Sequence, residues 1–448
     1  MNNTMGNADR TSLVLLGNFE VENQWAQGEP RLGGSVARTA ALVNRMDEFA
    51  LLLGGEQDHV VLKSYPDLDY LEFLQGLGFG LPAIHTVSEQ HPDRTVTEDA
   101  LTDAGLLAGL SRIPAPVALA PHGISVLEEE LAKRTGMTLT GPSAAVCKAV
   151  NSKVYSRRLA ERIGLRQPTG WACETQEELD AALPEAEKLL EAGEVLLIKE
   201  AFGVSGKGIA TVESQQRLRR VTQLLRRSAE RLGTNRVNVV VERLVVKTSD
   251  LNYQFTVGSD GSVCFDFVKE AHTVRGVHHG HRFPVPLTGA QRASLEVAAA
   301  RIGHELAADG YYGVVGVDAM LEPGGGVLPI VEINARNNMS TYQRRIEAEF
   351  MKPGQLALAK HYVLQLTAPI GFAAVSECLG ELLLARPGQS GLVVNNFATV
   401  NAASGAAGGF HGRLYGVLLG ADDCEVERMD AEVARRLGRL GSEGGKTA

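Results

Sequence analysis

The chain has 448 residues, 44% of them apolar and 22% charged, too long for one ordinary domain and too balanced for a disordered, collagen-like or coiled-coil protein. Lys and Arg number 44 against 53 Asp and Glu, and a net charge of −9 argues against general binding to nucleic acid or to an anionic membrane. Five scattered cysteines (Cys147, Cys173, Cys264, Cys378, Cys424) have neither disulfide nor zinc spacing and point to a reducing compartment.

The opening residues lack a basic stretch, the run Leu13–Leu16 is too short for a signal sequence, and no apolar stretch reaches membrane-spanning length. A cytoplasmic protein is expected. In the first third, Ser12–Leu16, Ala50–Leu53 and Val117–Ala120 read as strands, and Val36–Arg45, Leu68–Leu77, Glu98–Leu110 and Ser125–Arg134 as helices. This alternation implies an open, mainly parallel sheet. Gly141-Pro142-Ser143 marks a boundary. Ala144–Ile163 reads as one helix ending at Gly164 with Pro168 beyond, and Val195–Lys199 as a strand entering a glycine-rich segment.

In Gln215–Leu232, Leu218, Val221, Leu225 and Leu232 share a helical face opposite Arg219, Arg220, Arg226, Arg227 and Arg231. The arginines read either as a solvated face, the favoured reading, or as an anion patch. Val237–Leu244, Asn252–Val257 and Val263–Val268 read as strands, the last two joined at Gly258–Gly261, and Gly289–Ala308 as a long helix. Gly313–Leu321 and Val327–Asn334 flank a turn at Pro323–Gly326. The last eighty residues read as a small α/β extension, with strands at Gly391–Thr399 and Leu414–Leu419 and a helix at Glu427–Leu440.

Two groups of residues carry chemistry. Gly203, Ser205, Gly206, Lys207 and Gly208 form a glycine-rich segment that taken alone reads as a plain hairpin turn and, with Lys199 beside it, as a loop whose N–H groups can approach a polyphosphate, although Ala201 and Gly208 exclude a Walker P-loop. Lys199 ends the apolar strand just before it, where a lysine either carries its head out to water, the commoner case for one taken alone, or stays buried and calls for an anion. The second group lies on the paired strands. Glu332 and Asn334 share one strand face, and a suitable register brings Asp318 opposite. Three oxygen ligands in apolar strands suit Mg²⁺.

In this order the motifs resemble the ATP-grasp superfamily of carboxylate–amine ligases, over about Ser143 to Leu366. By that resemblance Lys153 and Lys199 hold ATP phosphates, as does Lys269. Glu242, Arg243, Leu244 and Val245 form the hinge against adenine, and Asp250 meets the ribose. Asp318, Glu332 and Asn334 bind Mg²⁺, with two ions expected. The implied architecture is α/β: a Rossmann-like pre-ATP-grasp domain (1–142), a two-part α+β ATP-grasp core (143–367) and a small C-terminal α/β extension (368–448). With its opening Leu13–Asn23 and its extension, the whole chain is similar to the peptide ligases that carry a pre-ATP-grasp domain, the phenylglycine-capping ligases of antibiotic biosynthesis among them.

What the resemblance implies is an ATP-dependent peptide ligase. A carboxylate, that of an amino-blocked non-proteinogenic amino acid, becomes an acylphosphate and is joined to a peptide N-terminus, with release of ADP and phosphate. Arg336 either stabilises the transferring group or pairs with a nearby acid. Arg275-Gly-Val-His-His-Gly-His-Arg282 reads as a flexible cationic loop in which Arg275 or Arg282 binds a carboxylate, His278, His279 and His281 being too closely spaced for a complete metal site. Gly33-Gly34-Ser35 reads as a helix cap or an anion contact. The expected partners are a carboxylate donor and a peptide acceptor, with no nucleic acid or membrane, and homodimerisation is left open. The alternatives are a small-metabolite ligase, of dipeptide or biotin-carboxylase type, and an ATP-binding regulator without turnover.

Overall fold

The computed structural model describes residues 10–33, 40–203, 208–274, 277–405 and 408–443. Strands β1 (Ser12–Leu16), β2 (His59–Leu62), β3 (Ala83–Thr86), β4 (Val117–Pro121) and β5 (Thr138–Leu139) make an all-parallel sheet in the order β3-β2-β1-β4-β5. Parallel sheets need cover on both faces. One face packs Val14, Leu16 and Leu119 against Leu107 and Leu131. The other packs Leu15, Val60 and Leu62 against Tyr70 and Leu74. The covering helices are sharply bounded. Asp67 caps Leu68–Gly76, while Ser125 and Glu128 form a capping box for Val126–Thr135, which Gly136 ends in the left-handed conformation.

Several expected elements differ here. Ala50–Leu53 is not a strand: Arg45–Leu52 is a 3₁₀ helix whose Phe49, Leu51 and Leu52 are fully buried. Strand β2, which takes the sheet position beside β1, and β3 beyond it lack a clear alternating pattern. Glu98–Leu110 divides at Asp103, whose side chain caps the second half. Ala144–Ile163 divides at Ser152, extended at φ −74° and ψ 133°, which frees the Lys153 N–H to bond the Ala201 carbonyl.

The middle of the chain forms two sheets. β6 (Gly170–Thr175), β7 (Leu196–Glu200), β8 (Ile209–Val212) and β9 (Arg236–Arg243) make an antiparallel four-stranded sheet in the order β6-β9-β7-β8. Its apolar face is closed by Gln176–Glu191 and Gln215–Arg231 through Leu179, Leu218, Val221 and Leu225. Leu232, expected on that face, is exposed beyond the helix end.

The larger sheet contains β10 (Ser249–Val257), β11 (Val263–Val274), β12 (Val277–Phe283), β13 (Gly313–Leu321), β14 (Val327–Asn334), β15 (Leu356–Leu366), β16 (Gly391–Asn396) and β17 (Phe410–Gly420). Its antiparallel order is β14-β13-β10-β11-β12-β15-β17-β16. The helix Gly289–Ala308 covers one end through Leu295, Ile302 and Leu306. Residues after 368 therefore add strands to a sheet they share with the middle of the chain. They also share a core with the parallel-sheet domain, since Tyr70 and Leu74 pack in one cluster with Phe372, Val394 and Phe397.

Candidate functional site

The helix Lys153–Arg162 runs along edge strand β14 and ties the two antiparallel sheets together. Its Ser156 hydroxyl accepts the Ile333 N–H at 3.0 Å. Its first residue, Lys153, is buried, with Nζ donating to the Gly203 carbonyl at 2.9 Å and to Glu332 Oε1 at 2.7 Å. One turn on, Arg157 reaches Glu242 at 3.5 Å and donates to the Pro168 carbonyl. Glu242 also holds Lys199 at 2.5 Å. Lys199 and Glu242 lie on the face of the small sheet opposite its apolar face, which Leu196 and Ile198 line, as strand alternation requires. A buried carboxylate here restrains two buried cations beside the glycine loop.

Across the larger sheet, register aligns a second set. Glu332 pairs with Asp318, Asp318 with Asn252, and Asn252 with Lys269. Residues directly opposite in antiparallel strands share a face, so these four side chains form one transverse row. Asn252 Nδ2 donates to Asp318 Oδ1 at 2.9 Å, and Asn334 Nδ2 to Asp318 Oδ2 at 3.3 Å. Burial and the neighbouring Glu332 carboxylate push the Asp318 carboxyl up to about 6. Asp250, two residues before Asn252 on the same face of β10, adds to that negative field and is paired with Lys247.

The chain from Ala335 to Glu347 folds over this row. Ser340 Oγ donates to Asn252 Oδ1 at 2.9 Å and meets His281 Nε2 at 3.1 Å, and His281 Nδ1 lies 3.2 Å from Gln343 Nε2. Lys269 Nζ is fully buried, 3.3 Å from the Ser340 carbonyl, from Gln343 Oε1 and from Glu347, with its cation 3.9 Å from the Phe283 ring centre. Burial brings the Lys269 ammonium down to about 8. Arg336 donates to Asn334 Oδ1 at 3.0 Å and forms an ion pair with Glu22 of the first domain. Beside it a cleft of about 700 Å³ opens between the parallel sheet and the covering segment, lined by Leu15, His122, Gly123, Arg336, Asn337 and Arg345 among others.

The structure thus brings together Lys153, Lys199, Glu242, Gly203, Asp250, Asp318, Glu332, Asn334 and Arg336, with Lys269 at the far end of the row. In the hinge, the N–H groups of Arg243 and Leu244 bond the Thr169 and Val195 carbonyls, and Val245 follows directly. Gly208 stands at the loop's end with φ +74°, its carbonyl bonded to the Glu200 N–H. Ser205, Gly206, Lys207, Arg275, Gly34 and Ser35 lie outside the described residues.

Arg282 does not join the site. It pairs with Asp423 at 2.7 Å, on the C-terminal helix Asp423–Glu443, and sits opposite Glu270 rather than Lys269 in the ladder. Nor is 277–283 a loop, since it is strand β12, which places His281 in the buried network. Sequence reasoning missed Arg157, Asn252, Ser340 and Gln343. Only Arg157 had a signal, four residues after Lys153 on one helix face.

No group of three or more His, Cys, Asp or Glu able to hold a metal occurs among the described residues. The candidate set is two carboxylates and an amide. These hard oxygen donors fit Mg²⁺ completed by water and phosphate oxygens, and a cation would offset the burial of Asp318 and the Glu332 charge beside it, the two causes that raise its carboxyl. All five cysteines are free, and no helix among the described residues is long and apolar enough to cross a membrane.

Residues 46–137 match the family described as "Pre ATP-grasp domain", and residues 152–342 match "Carbamoyl-phosphate synthase L chain, ATP binding domain". The chain is 25% identical to the [butirosin acyl-carrier protein]–L-glutamate ligase of Niallia circulans, over 76% of each protein. It is 24% identical to the arginine-specific carbamoyl phosphate synthase large chain of Bacillus subtilis (strain 168), over 46% of this chain and 18% of that one. Its fold is similar to the ADP complex of an N5-carboxyaminoimidazole ribonucleotide synthetase (TM-score 0.54, 14% identity, 97% of this chain and 98% of that one). It is also similar to a biotin carboxylase of Campylobacter jejuni (TM-score 0.54, 14% identity, 93% and 89%). A pre-ATP-grasp domain therefore precedes an ATP-grasp domain in this chain, and the protein is an ATP-grasp ligase.

Proposed function

We propose that this ligase activates a carboxylate with ATP as an acylphosphate and passes the acyl group to an amine. The observation that carries the reading is Lys153, whose ammonium lies between the mouth of the glycine loop and Glu332 of the acidic row. A carboxylate oxygen attacks the γ-phosphorus in line, the bond to ADP breaks, and the amine then displaces phosphate to form an amide. Such transfer depends on positioning and on neutralising the distal phosphates. Lys153 and Lys199 supply that charge, with the glycine-loop amides. Mg²⁺, as one ion or two, would be held by Asp318, Glu332 and Asn334 and would supply the remaining positive charge. Arg336, which donates to Asn334 and lines the cleft, would in this reading meet the donor's acyl phosphate.

The donor in this reading is an amino-blocked, non-proteinogenic amino acid, and the acceptor is a peptide N-terminus, in the biosynthesis of a peptide natural product. A second reading, favoured by the relative that ligates L-glutamate to an acyl-carrier protein, has the acceptor tethered to a carrier. Incubation with ATP, Mg²⁺, candidate acids and amines tests the route. Release of ADP and phosphate, with oxygen-18 from the donor carboxylate appearing in phosphate, is expected. Label in AMP would overturn it.

A further inference from the structure

The helix Gln215–Arg231 carries six arginines against one glutamate, in a chain whose net charge is −9. Its inner face is spent on the small sheet. Its flank is spent on the neighbouring helix, where Arg226 pairs with Asp180 and Arg219 approaches Glu187 at 3.8 Å. The outward face is different. Arg217, Arg220, Leu224, Arg227 and Arg231 recur at helical spacing as one exposed stripe. None of its four guanidinium groups has a hydrogen-bond or ion-pair partner among the described residues. Leu224, 38% exposed, sits in the middle of the stripe, and Leu232 is exposed at its end.

We propose that this stripe docks an acidic protein, a carrier that presents the ligase's acceptor. The page supplies the charge complementarity. An acidic partner is repelled by a chain of net charge −9 everywhere except where positive charge is concentrated, so the stripe selects both partner and orientation. Leu224 among the arginines gives the apolar contact that a protein interface uses. Nucleic acid is the poorer match, because the stripe offers no aromatic side chain on which a base could stack.

Placement fits delivery to the site. Ser228, on the same helix, accepts the Arg31 N–H at 3.0 Å, the next residue's N–H bonds Glu200, and the Glu200 N–H bonds the Gly208 carbonyl at the end of the glycine loop. A protein seated on the helix stands two short connections from that loop. The partner's role as carrier rests on the carrier-tethered reading given above, while the basic stripe does not.

The test measures binding of the full chain to the butirosin acyl-carrier protein as probe, with poly-L-glutamate and a short DNA duplex as controls. Arg217, Arg220, Arg227 and Arg231 are replaced together by Glu, and in a milder variant by Gln. The expected result is salt-sensitive binding of the carrier that weakens tenfold or more in both variants, with thermal unfolding and ATP binding unchanged. Equal binding by wild type and the Gln variant, no carrier binding, or tighter binding of the duplex would overturn the proposal. So would self-association of the wild type that both variants abolish, since it would make a second copy the occupant. ADP release is measured separately, so that a failed ligase assay with intact, arginine-dependent carrier binding would reject the reaction and leave the docking surface standing.

Discussion

Glu22 and Arg336 form a buried ion pair between the parallel-sheet domain and the end of strand β14. The same guanidinium donates to Asn334, so an acid in the first domain fixes a side chain of the proposed metal set in the second. Breaking such a pair leaves an uncompensated buried charge. Glu22→Gln keeps the volume and one acceptor, so the expected loss is about 1–3 kcal/mol in urea unfolding. Turnover should fall further than stability does, because Arg336 and Asn334 both lose their fixed positions. Turnover that stays at the wild-type level would remove Glu22 from the positioning of the site.

Lys199 is held by Glu242 at the base of the glycine loop. Lys199→Ala should weaken ATP binding by about 1.5–3 kcal/mol, the range for a hydrogen bond to a charged group. Calorimetric titration with ATP checks it, and unchanged affinity would show that Lys199 serves only to hold Glu242.

Glu332→Gln should leave the thermal midpoint close to that of the wild type while ADP formation collapses, since it removes a charge and keeps the volume. The measurement is substrate-dependent ADP release over a range of Mg²⁺ concentrations. Normal turnover at limiting Mg²⁺ would detach Glu332 from the metal set.

The Lys269 ammonium is lowered to about 8 by burial, although Glu347 pulls the other way. If its charge serves the reaction, kcat/KM should decline as pH rises through about 8. Lys269→Arg, which stays charged, should move that limb upward or remove it. A limb left in place would assign it to another group.

Glu48 gives a stability test away from the site. Its carboxylate accepts the N–H groups of Phe397 and Ala398, and burial raises it from 4.5 to about 7. Between those values the folded state keeps a proton that the unfolded chain has released. This group's contribution therefore falls as pH rises from about 4.5 to 7 and is level above. Glu48→Gln should remove that part of the slope. The difference between wild-type and variant urea curves, taken across this window, isolates it from His122, which burial shifts the opposite way.

The paired strands Gly313–Leu321 and Val327–Asn334 and the helix Gly289–Ala308 were legible to the residue, because apolar patterning and glycine-marked ends agree there. The row Glu332–Asp318–Asn252–Lys269 was only half legible. β13 and β14 are joined by a short turn, so Asp318 and Glu332 could be paired from sequence. β10, however, pairs with the non-consecutive β13, whose register no local signal sets, and a shift between Gln254 and Phe255 displaces the β10–β11 hairpin that brings Lys269 opposite Asn252. The 3₁₀ segment Arg45–Leu52 was misread because a short apolar run fully buried between domains has no periodicity to distinguish it. Arg282 was misplaced because the glycines and histidines around it read as a loop, whereas β12 sets it in the ladder opposite Glu270.

The eight-stranded sheet also bears on synthesis. Strand β12 waits for β15, and Tyr70 in the first domain waits for Phe372 and Phe397, so neither is completed until those later segments have left the ribosome. Domains usually fold in turn as they emerge. Here the parallel-sheet domain keeps an apolar face uncovered until residues 372–397 follow, and a ribosome stalled just beyond Leu366 would hold the chain with that face open to chaperones and proteases.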